Sequence, residues 1–477
     1  MGRVFEYLQV VLFKKTLSRY AKLLPKDFFT TTTTKKTELY KNLLRAEIET
    51  IKQLQKEEFE FVKKIQLLRL REVLVLAAQT RWWNNYFLQK KVAWKRIATF
   101  DDLQTIPPIT RNNIVDVEKK DLLLLEANDP SLLWRSSSGS TTGTPVVWGL
   151  NKTILILNVL ASLLIQLEKR GFLLSANLNH KFCLHYNMFM TADKHAFKWF
   201  AQPDFHIPNH SSDRRKKTIE LSLIIAQTQN LVLFTSPNEL ISLVDSFRDI
   251  GDRPHIPFII TVGSPLPPHV RDTTTQYFHS QIFSFYGAQE TGPCAIECVN
   301  VKDAYHALSD RIILELLDEH NRPVKEGEAG LITVTCLDNT VMPLIRYQPG
   351  DWGVFVSNSL CTCGNHFPLF KVLERTTDVV TFSTGERLSI VPILRFFNRP
   401  PYISFVRRFQ IEQDRHDHII VRLEVKKLLS ETAITRLHER VGRIFKGKLQ
   451  ADVVQTTNLT QENPKFRVFI PLKTPRP

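Results

Sequence analysis

The octapeptide FYGAQETG occupies residues 285–292 and follows an apolar run, Ile282–Tyr286, whose composition predicts a buried β-strand. An aromatic side chain at the end of a strand, here Tyr286, offers a flat face to an adenine ring. A carboxylate four residues later, Glu290, is a suitable ligand for Mg²⁺ beside phosphate oxygens. The same residues also fit an ordinary Tyr-Gly turn with a surface glutamate, so their interpretation depends on the rest of the chain.

On both sides of the octapeptide, between residues 133 and 355, short apolar strands alternate with helical segments. Further strands are predicted at Leu231–Thr235, Phe258–Val262 and Gly330–Thr335. This alternation predicts an α/β domain whose sheet is mostly parallel.

Changes in composition and hydrophobic periodicity along the chain predict three regions. Residues 1–95 show helical periodicity, residues 96–375 form the large α/β domain, and residues 376–477 form a small α+β domain. The elements predicted in the last part are strands at Val406–Ile411, His418–Val425, Ala451–Gln455 and Phe466–Ile470 and a helix from Ser430 to about Phe445.

The bulk composition is that of a soluble globular protein, with 477 residues, 43% hydrophobic and 23% charged. A formal net charge of +15 favours anionic ligands or partners, but no nucleic-acid-binding motif accompanies it. The longest apolar stretch, Ile154–Leu167, is too short to span a bilayer. Six cysteines do not make a disulfide scaffold at this length, and no cleavable signal peptide is recognisable. Together these features predict a cytoplasmic protein with reduced thiols.

Two other segments contain candidate ligand-binding residues. The segment SSSGSTTGTP, residues 136–145, combines hydroxyls and glycines that suit a loop wrapping a triphosphate, although flexible loops share this composition. It lacks the Gly-Lys-Ser/Thr ending of a Walker A loop. The segment PLIRYQPGD, residues 343–351, ends in Asp351, whose carboxylate can accept two hydrogen bonds from ribose hydroxyls. Gly-Asp turns are also common as purely structural features.

Taken in order, these three segments resemble the motifs of the adenylate-forming superfamily, and a hinge and a small C-terminal part follow them as in that family. The sequence is most similar to the phenylacetate–CoA ligase and CapK-like branch. The resemblance runs from about Phe100 to Pro471 and is densest at residues 286–298 and 342–364. It implies a large domain with a mostly parallel sheet and a small C-terminal domain that is mobile between two half-reactions.

The resemblance also assigns roles to individual positions. Glu290 would ligate Mg²⁺ and Lys465 would reach the acyl phosphate during adenylation, which makes these two the candidate catalytic residues. Tyr286 would stack on adenine, and Asp351, assisted by Arg375, would bind the ribose. The positions implied to bind nucleotide are Ser138, Gly139, Ser140, Thr141, Thr142, Gly143, Gly263, Ser264, Pro265, Tyr286, Gly287, Asp351 and Arg375.

The chain departs from the family pattern at four points. Its phosphate loop contains one extra residue, Ser140, and has Thr144 where the family has lysine. Thr377 replaces the expected pivot aspartate of the hinge, and no glycine precedes Lys465. These changes bear on the loop geometry and on the rotation between half-reactions.

A fourth group of residues predicts a metal site. Cys298 and His306 lie eight positions apart, and Cys361 and Cys363 form a Cys-x-Cys-Gly turn. Four such donors can complete a tetrahedral structural Zn²⁺ site, while free or buried cysteines are the alternative, because the spacing is not that of a zinc finger. The resemblance favours zinc, since some relatives contain the same arrangement. Cys294 and His366 are reserve ligands for this site.

By implication, the chain would use ATP to convert a carboxylic acid, aromatic or medium-sized and apolar, into its acyl-AMP and pass the acyl group to coenzyme A. Residues 185–200 are candidates for the acid pocket or, alternatively, core aromatics. The phosphopantetheine of an acidic carrier protein, or an amine, is an alternative acceptor. A degenerate member that binds nucleotide without catalysis is a rival hypothesis, and a nucleic-acid binder is a lesser one.

Overall fold

The computed structural model describes residues 34–126, 129, 132–136, 147–172, 183–185, 214–228, 231–357, 361–375, 379–390, 393, 396–397, 406–425, 428–444, 449–456 and 469–472. The chain divides into two compact units. The first comprises residues 1–266, 273–349 and 353–372, and the second comprises residues 267–272, 350–352 and 373–477. Within the described ranges, no helix is both long and apolar enough to cross a membrane.

The α-helices, labelled in chain order, are α1 Thr34–Lys56, α2 Phe59–Ala77, α3 Arg81–Gln89, α4 Phe100–Leu103, α5 Lys119–Leu122, α6 Lys152–Glu168, α7 Arg214–Gln227, α8 Pro237–Ile250, α9 Pro268–Phe278 and α10 Glu431–Ile444. Among the described residues, short 3-10 helices occur at Trp94–Arg96 and Arg111–Asn113.

The strands are β1 Ile109–Thr110, β2 Leu132–Ser136, β3 Val147–Asn151, β4 Cys183–His185, β5 Val232–Thr235, β6 Phe258–Thr261, β7 Gln281–Ala288, β8 Gly292–Glu297, β9 Tyr305–Ala307, β10 Ile312–Leu317, β11 Ala329–Cys336, β12 Tyr347–Gln348, β13 Asp351–Ser357, β14 Leu369–Arg375, β15 Val379–Thr381, β16 Arg387–Ser389, β17 Val406–Arg415, β18 His418–Val425, β19 Gln450–Thr456 and β20 Phe469–Ile470.

One large sheet has the strand order β1-β12-β11-β13-β14-β9-β8-β7-β6-β5-β4, with β10 paired to β11. Strands β4 to β7 are mutually parallel, as continuous apolar runs predict, whereas β7, β8 and β9 pair in antiparallel fashion. The strands predicted at Leu231–Thr235, Phe258–Val262, Ile282–Tyr286 and Gly330–Thr335 are observed, the first two within one residue and the last two slightly longer. The predicted α/β class is confirmed.

The helices of the N-terminal region pack into the first unit rather than standing apart from it. Gln66 Nε2 on α2 donates hydrogen bonds to the carbonyl oxygens of Ser309 and Ile312, at 2.9 and 2.7 Å. On α3, Trp83 Nε1 donates to the carbonyl oxygen of Pro343, at 2.9 Å. Such buried, satisfied bonds attach these helices firmly to the sheet. The boundaries proposed at residues 95/96 and 375/376 stay predictions.

The second unit has its own four-stranded sheet, in the order β19-β18-β17-β20, and its own apolar core. Helix α10 contributes Leu437 and Val441 to that core. The helix begins where predicted because Ser430 precedes it and the Ser430 side chain accepts a hydrogen bond from Ala433 N at 3.3 Å. The predicted small α+β region is confirmed.

Candidate functional site

The carboxyl ends of the parallel strands bring two predicted nucleotide segments together. Strands β6 and β7 are in register at Thr261 and Ser284, whose hydroxyl oxygens are 2.7 Å apart. The segment at residues 263–265 therefore emerges beside residues 286–287. Gly263 adopts φ +90°, a left-handed conformation that favours glycine. Ligands of α/β sheets bind at this edge.

Tyr286 is half-buried, and two aromatic neighbours fix its orientation. Its ring meets Phe370 edge-on, with centroids 5.9 Å apart, and Tyr305 at 6.4 Å. Perpendicular packing of this kind is favourable for aromatic pairs. The ring is thus held in place while part of it remains accessible to a planar ligand. Sequence reasoning did not identify Phe370 or Tyr305.

Gly287 is required by the close approach of β8. A β-carbon at this position would lie 2.8 Å from Cα of Pro293, a distance that real side chains do not adopt. The register between β7 and β8 also shifts at this point. A glycine at such an irregularity lets the strand bend and turn back within four residues.

Glu290 lies in the turn between β7 and β8 and is only 7% exposed. Thr291 stabilises the turn, because its hydroxyl accepts from Ala288 N at 3.2 Å and donates to the carbonyl oxygen of Gly292 at 2.8 Å. Within the part of the chain that the structure describes, no hydrogen bond or salt bridge reaches the Glu290 carboxylate. A carboxylate held in this turn, at the edge where ligands of such sheets bind, is a suitable ligand for a cation such as Mg²⁺.

Arg346, in the segment that contains the predicted ribose ligand, makes its contacts inside the fold. Its side chain is fully buried, its φ is 48°, and its guanidinium forms two bonds of 3.0 and 3.1 Å with Glu315. It also donates to the carbonyl oxygens of Gln104, at 3.1 Å, and Ile106. Burial raises the pKa of Glu315, and the adjacent guanidinium opposes that rise. Asp351, the predicted ribose ligand, is buried at the start of β13.

The predicted zinc ligands form one cluster. The donor atoms of Cys298, His306, Cys361 and Cys363 all lie within 4.8 Å of one another. Sγ of Cys298 is 3.6 Å from Sγ of Cys361, and Sγ of Cys363 is 3.2 Å from Nε2 of His306. The sheet explains why these side chains lie close together, because His306 on β9 pairs with residues of both β8 and β14. Cys298 directly follows β8, and the two other cysteines precede β14.

The surroundings of the cluster suit a metal. Nδ1 of His306 is 2.9 Å from the carbonyl oxygen of Phe367, so that nitrogen carries the proton and Nε2 is left as a ligand. A hydrogen bond from Cys363 lowers the pKa of Cys298 to about 3, and the same interaction raises the pKa of Cys363. Burial lowers the pKa of Lys169, and the charges of the three cysteines oppose this shift.

The reserve ligands lie outside this group. Cys294 Sγ instead donates to the Thr291 hydroxyl at 3.0 Å, and burial raises its pKa to about 11. The backbone N–H of His366 donates to the carbonyl oxygen of Gln55 at 2.8 Å. The three-cysteine, one-histidine set is therefore the arrangement found in the structure.

Several predicted site residues fall outside the described residues. They are Ser138, Gly139, Ser140, Thr141, Thr142, Gly143, Thr377 and Lys465, together with residues 186–200 of the predicted acid pocket. Arg375 is the last residue of β14. Their assignments stay predictions from the sequence.

Two curated proteins are similar to part of the chain. A phenylacetate–coenzyme A ligase of Thermus thermophilus is 27% identical over 165 residues, and one of Escherichia coli K12 is 26% identical over 164 residues. These matches cover 33% and 32% of this chain and 37% and 35% of the relatives, so the similarity spans about a third of the relatives' length. No protein-family model matches the chain.

Solved structures extend the likeness to most of the chain. A 2-hydroxyisobutyryl-CoA ligase, in the postadenylation state with R3-HIB-AMP, has a TM-score of 0.68 and 16% identity, over 87% of this chain and 91% of that one. An acyl acid amido synthetase in complex with 2,4-DB has a TM-score of 0.59 and 14% identity, over 86% and 89%. At these identities the likeness shows a shared fold.

Proposed function

We propose that this chain, which is related to the phenylacetate–CoA ligases and has the fold of the adenylate-forming ligases, activates a carboxylic acid as its acyl-AMP at the expense of ATP. The acyl group then passes to a thiol, for which coenzyme A is the first candidate. The observation that carries the proposal is the edge of the sheet where the Gly263 segment emerges beside Tyr286, with the buried Glu290 in the turn that follows β7.

In this proposal the chain's own residues bind and orient the nucleotide. Tyr286, held by its aromatic neighbours, stacks on the adenine, and Asp351 accepts hydrogen bonds from the ribose. Glu290 holds Mg²⁺, which when bound neutralises phosphate charge. Little covalent chemistry is required of the protein, because such a reaction depends on positioning and on electrostatic stabilisation of the displaced pyrophosphate.

The choice of acid and acceptor belongs to the proposal as well. An aromatic or medium-sized apolar acid agrees with the phenylacetate–CoA ligases among the relatives. The strong positive charge of the chain would suit an acidic carrier protein as an alternative thiol donor. The amido synthetase among the structural neighbours keeps an amine acceptor as a second alternative.

We also propose that the cluster of three cysteines and one histidine binds a structural Zn²⁺. With Zn²⁺ bound to three thiolates and a neutral imidazole, the whole site would have a net negative charge, which nearby cations can offset. Arg170 Nη2 donates to the carbonyl oxygens of Glu297 and Cys298, at 3.3 and 3.5 Å. Lys169 is close enough for the charges of the three cysteines to act on its pKa, which they raise against the effect of burial. Reduced thiols of this kind suit the cytoplasm, where we place the protein.

A degenerate member that binds nucleotide without catalysis is the second candidate function. Three departures from the family pattern favour this second candidate: the extra residue Ser140, Thr144 in place of lysine, and Thr377 at the hinge. Glu290, Asp351 and Lys465, which are retained, favour an active enzyme.

Nucleotide binding is tested at Asp351. We expect Asp351→Ala to weaken ATP binding about tenfold or more, because a charged acceptor of two hydrogen bonds is lost. Isothermal calorimetry measures the affinity, and thermal unfolding checks the fold, since Asp351 is buried. Asp351→Asn, which keeps the shape, should show the same direction of change.

Asp318→Ala is the control for this test, because it removes an aspartate from another turn of the chain. It should leave the ATP affinity unchanged. Wild-type affinity in a folded Asp351→Asn protein would contradict the ribose assignment.

A further inference from the structure

The loop at residues 361–367, which carries two of the proposed zinc ligands, also contacts the end of helix α1. Cys361 and Cys363 lie at its start, and the backbone N–H of His366 donates to the carbonyl oxygen of Gln55 at 2.8 Å. Gln55 is the next-to-last residue of α1 and is buried. A carbonyl oxygen at the end of a helix has no partner within that helix. The loop therefore supplies a hydrogen bond that α1 cannot make by itself.

Phe367 joins the proposed metal site to two helices through two different groups. Its carbonyl oxygen is 2.9 Å from Nδ1 of His306, one of the proposed ligands. Its side chain is 1% exposed and packs in one apolar cluster with Leu54 on α1 and with Val62 and Ile65 on α2. The backbone of Phe367 thus orients a proposed ligand while its ring fills the junction of α1 and α2.

Gln55 also has a connection to the other half of the proposed site. Its side-chain Oε1 accepts from Nζ of Lys169 at 3.2 Å. The next residue, Arg170, donates to the carbonyl oxygen of Cys298 at 3.5 Å. The end of α1 is therefore linked to segments that lead to both pairs of proposed ligands, and all of these residues belong to the first compact unit.

We propose that zinc binding is coupled to the docking of α1 and α2 onto the α/β domain. The proposal rests on the proposed zinc site. The metal would tie Cys361 and Cys363 to Cys298 and His306, and the loop fixed in this way would hold the junction of the two helices. Phe367 is the positioning residue in this arrangement. Because such coupling is reciprocal, loss of the helix contacts should weaken zinc binding, just as loss of zinc loosens the helices.

The first test uses the unmodified chain and follows hydrogen–deuterium exchange by mass spectrometry, with zinc bound and after removal of the metal by a chelator. Amides of residues 48–66, at the junction, should exchange faster without zinc, on the order of tenfold. Helix α8, which packs against α7, should be unaffected. Addition of zinc should restore the slow exchange.

The second test measures zinc affinity in Phe367→Leu by competition with a chromogenic chelator. The substitution keeps the backbone carbonyl group that faces His306 and replaces only the ring that fills the helix junction. Zinc affinity should fall on the order of tenfold, the size of effect seen when a group that supports a metal ligand is changed.

Phe278→Leu is the matched control for the second test. Phe278 is also a fully buried phenylalanine of the first unit, and it packs edge-on against Phe247 on α8, with centroids 5.6 Å apart. Both variants should unfold at a lower temperature than the unmodified chain, because each leaves a buried site less well filled. Only Phe367→Leu should bind zinc more weakly.

The coupling would be overturned if zinc removal left the exchange of residues 48–66 unchanged or accelerated α8 equally. It would also be overturned by wild-type zinc affinity in Phe367→Leu, or by an equal loss in Phe278→Leu. In each of these cases the unmodified chain still binds zinc, so the zinc site stands. An unmodified chain that binds no zinc would contradict the zinc site itself, and the coupling with it. The exchange test decides the proposal even where a variant fails to fold.

Discussion

Lys465→Ala should reduce acyl-AMP formation on the order of 100-fold or more, the size of effect seen when a charge-neutralising group is removed from an active site. The proposed mechanism needs this lysine near the acyl carboxylate and the α-phosphate during adenylation only. Transfer of the acyl group from preformed acyl-AMP to the thiol should therefore be nearly unchanged. Rapid-quench assays of the two half-reactions measure the difference.

Lys473→Ala is the control, because it removes another lysine of the same C-terminal stretch, outside the Asn-Pro-Lys-Phe-Arg sequence. It should leave both half-reactions intact. Equal damage to both half-reactions by Lys465→Ala, or damage to neither, would contradict the role of Lys465 and favour the degenerate-member hypothesis.

Cys361→Ser should remove the metal and destabilise the protein, on the order of 3 kcal/mol or more in the free energy of unfolding, since a closed structural zinc site contributes directly to folding. Elemental analysis should find about one zinc per unmodified chain and far less in the variant. Cys361 is buried, and its Sγ lies 3.6 Å from Sγ of Cys298 in the cluster.

Cys294→Ser is the matched control for the zinc prediction. Cys294 is a buried thiol near the cluster in sequence, but it bonds to Thr291 and is not part of the donor set. The variant should retain its zinc. Two results would contradict the zinc assignment. One is a wild-type protein that contains no metal when prepared without chelator, and the other is a zinc loss in Cys294→Ser as large as that in Cys361→Ser.

Much of the fold follows from local sequence patterns. Continuous apolar runs predicted β5 and β6 within one residue, because strands buried on both faces leave this signature. The helix predicted from Ser430 to about Phe445 is observed at Glu431–Ile444. A serine cap and a strongly amphipathic pattern are local signals, which the sequence displays directly.

The candidate site was predictable in its residue types and less so in its supporting contacts. The chemistry of the side chains and the family resemblance were enough to group the four metal-ligand candidates, Cys298, His306, Cys361 and Cys363. The pairing of β9 with β8 and with β14 explains why these residues lie close together in the structure.

Arg346 illustrates the same limit within a recognised motif. Arg346 lies in the segment that leads to the predicted ribose ligand, and it is fully buried against Glu315 and backbone carbonyl oxygens. Its charge stabilises the packing beneath the motif. Motif membership therefore does not by itself assign a side chain to the ligand.

The proposed formation of acyl-AMP is tested by measuring pyrophosphate release from Mg·ATP in the presence of a panel of aromatic and medium-sized apolar acids. Glu290→Gln and Gln289→Ala provide a matched pair of variants from the same turn. We expect acid-dependent pyrophosphate release with formation of the corresponding acyl-AMP, lost in Glu290→Gln and retained in Gln289→Ala. ATP binding without pyrophosphate release for any acid would contradict it.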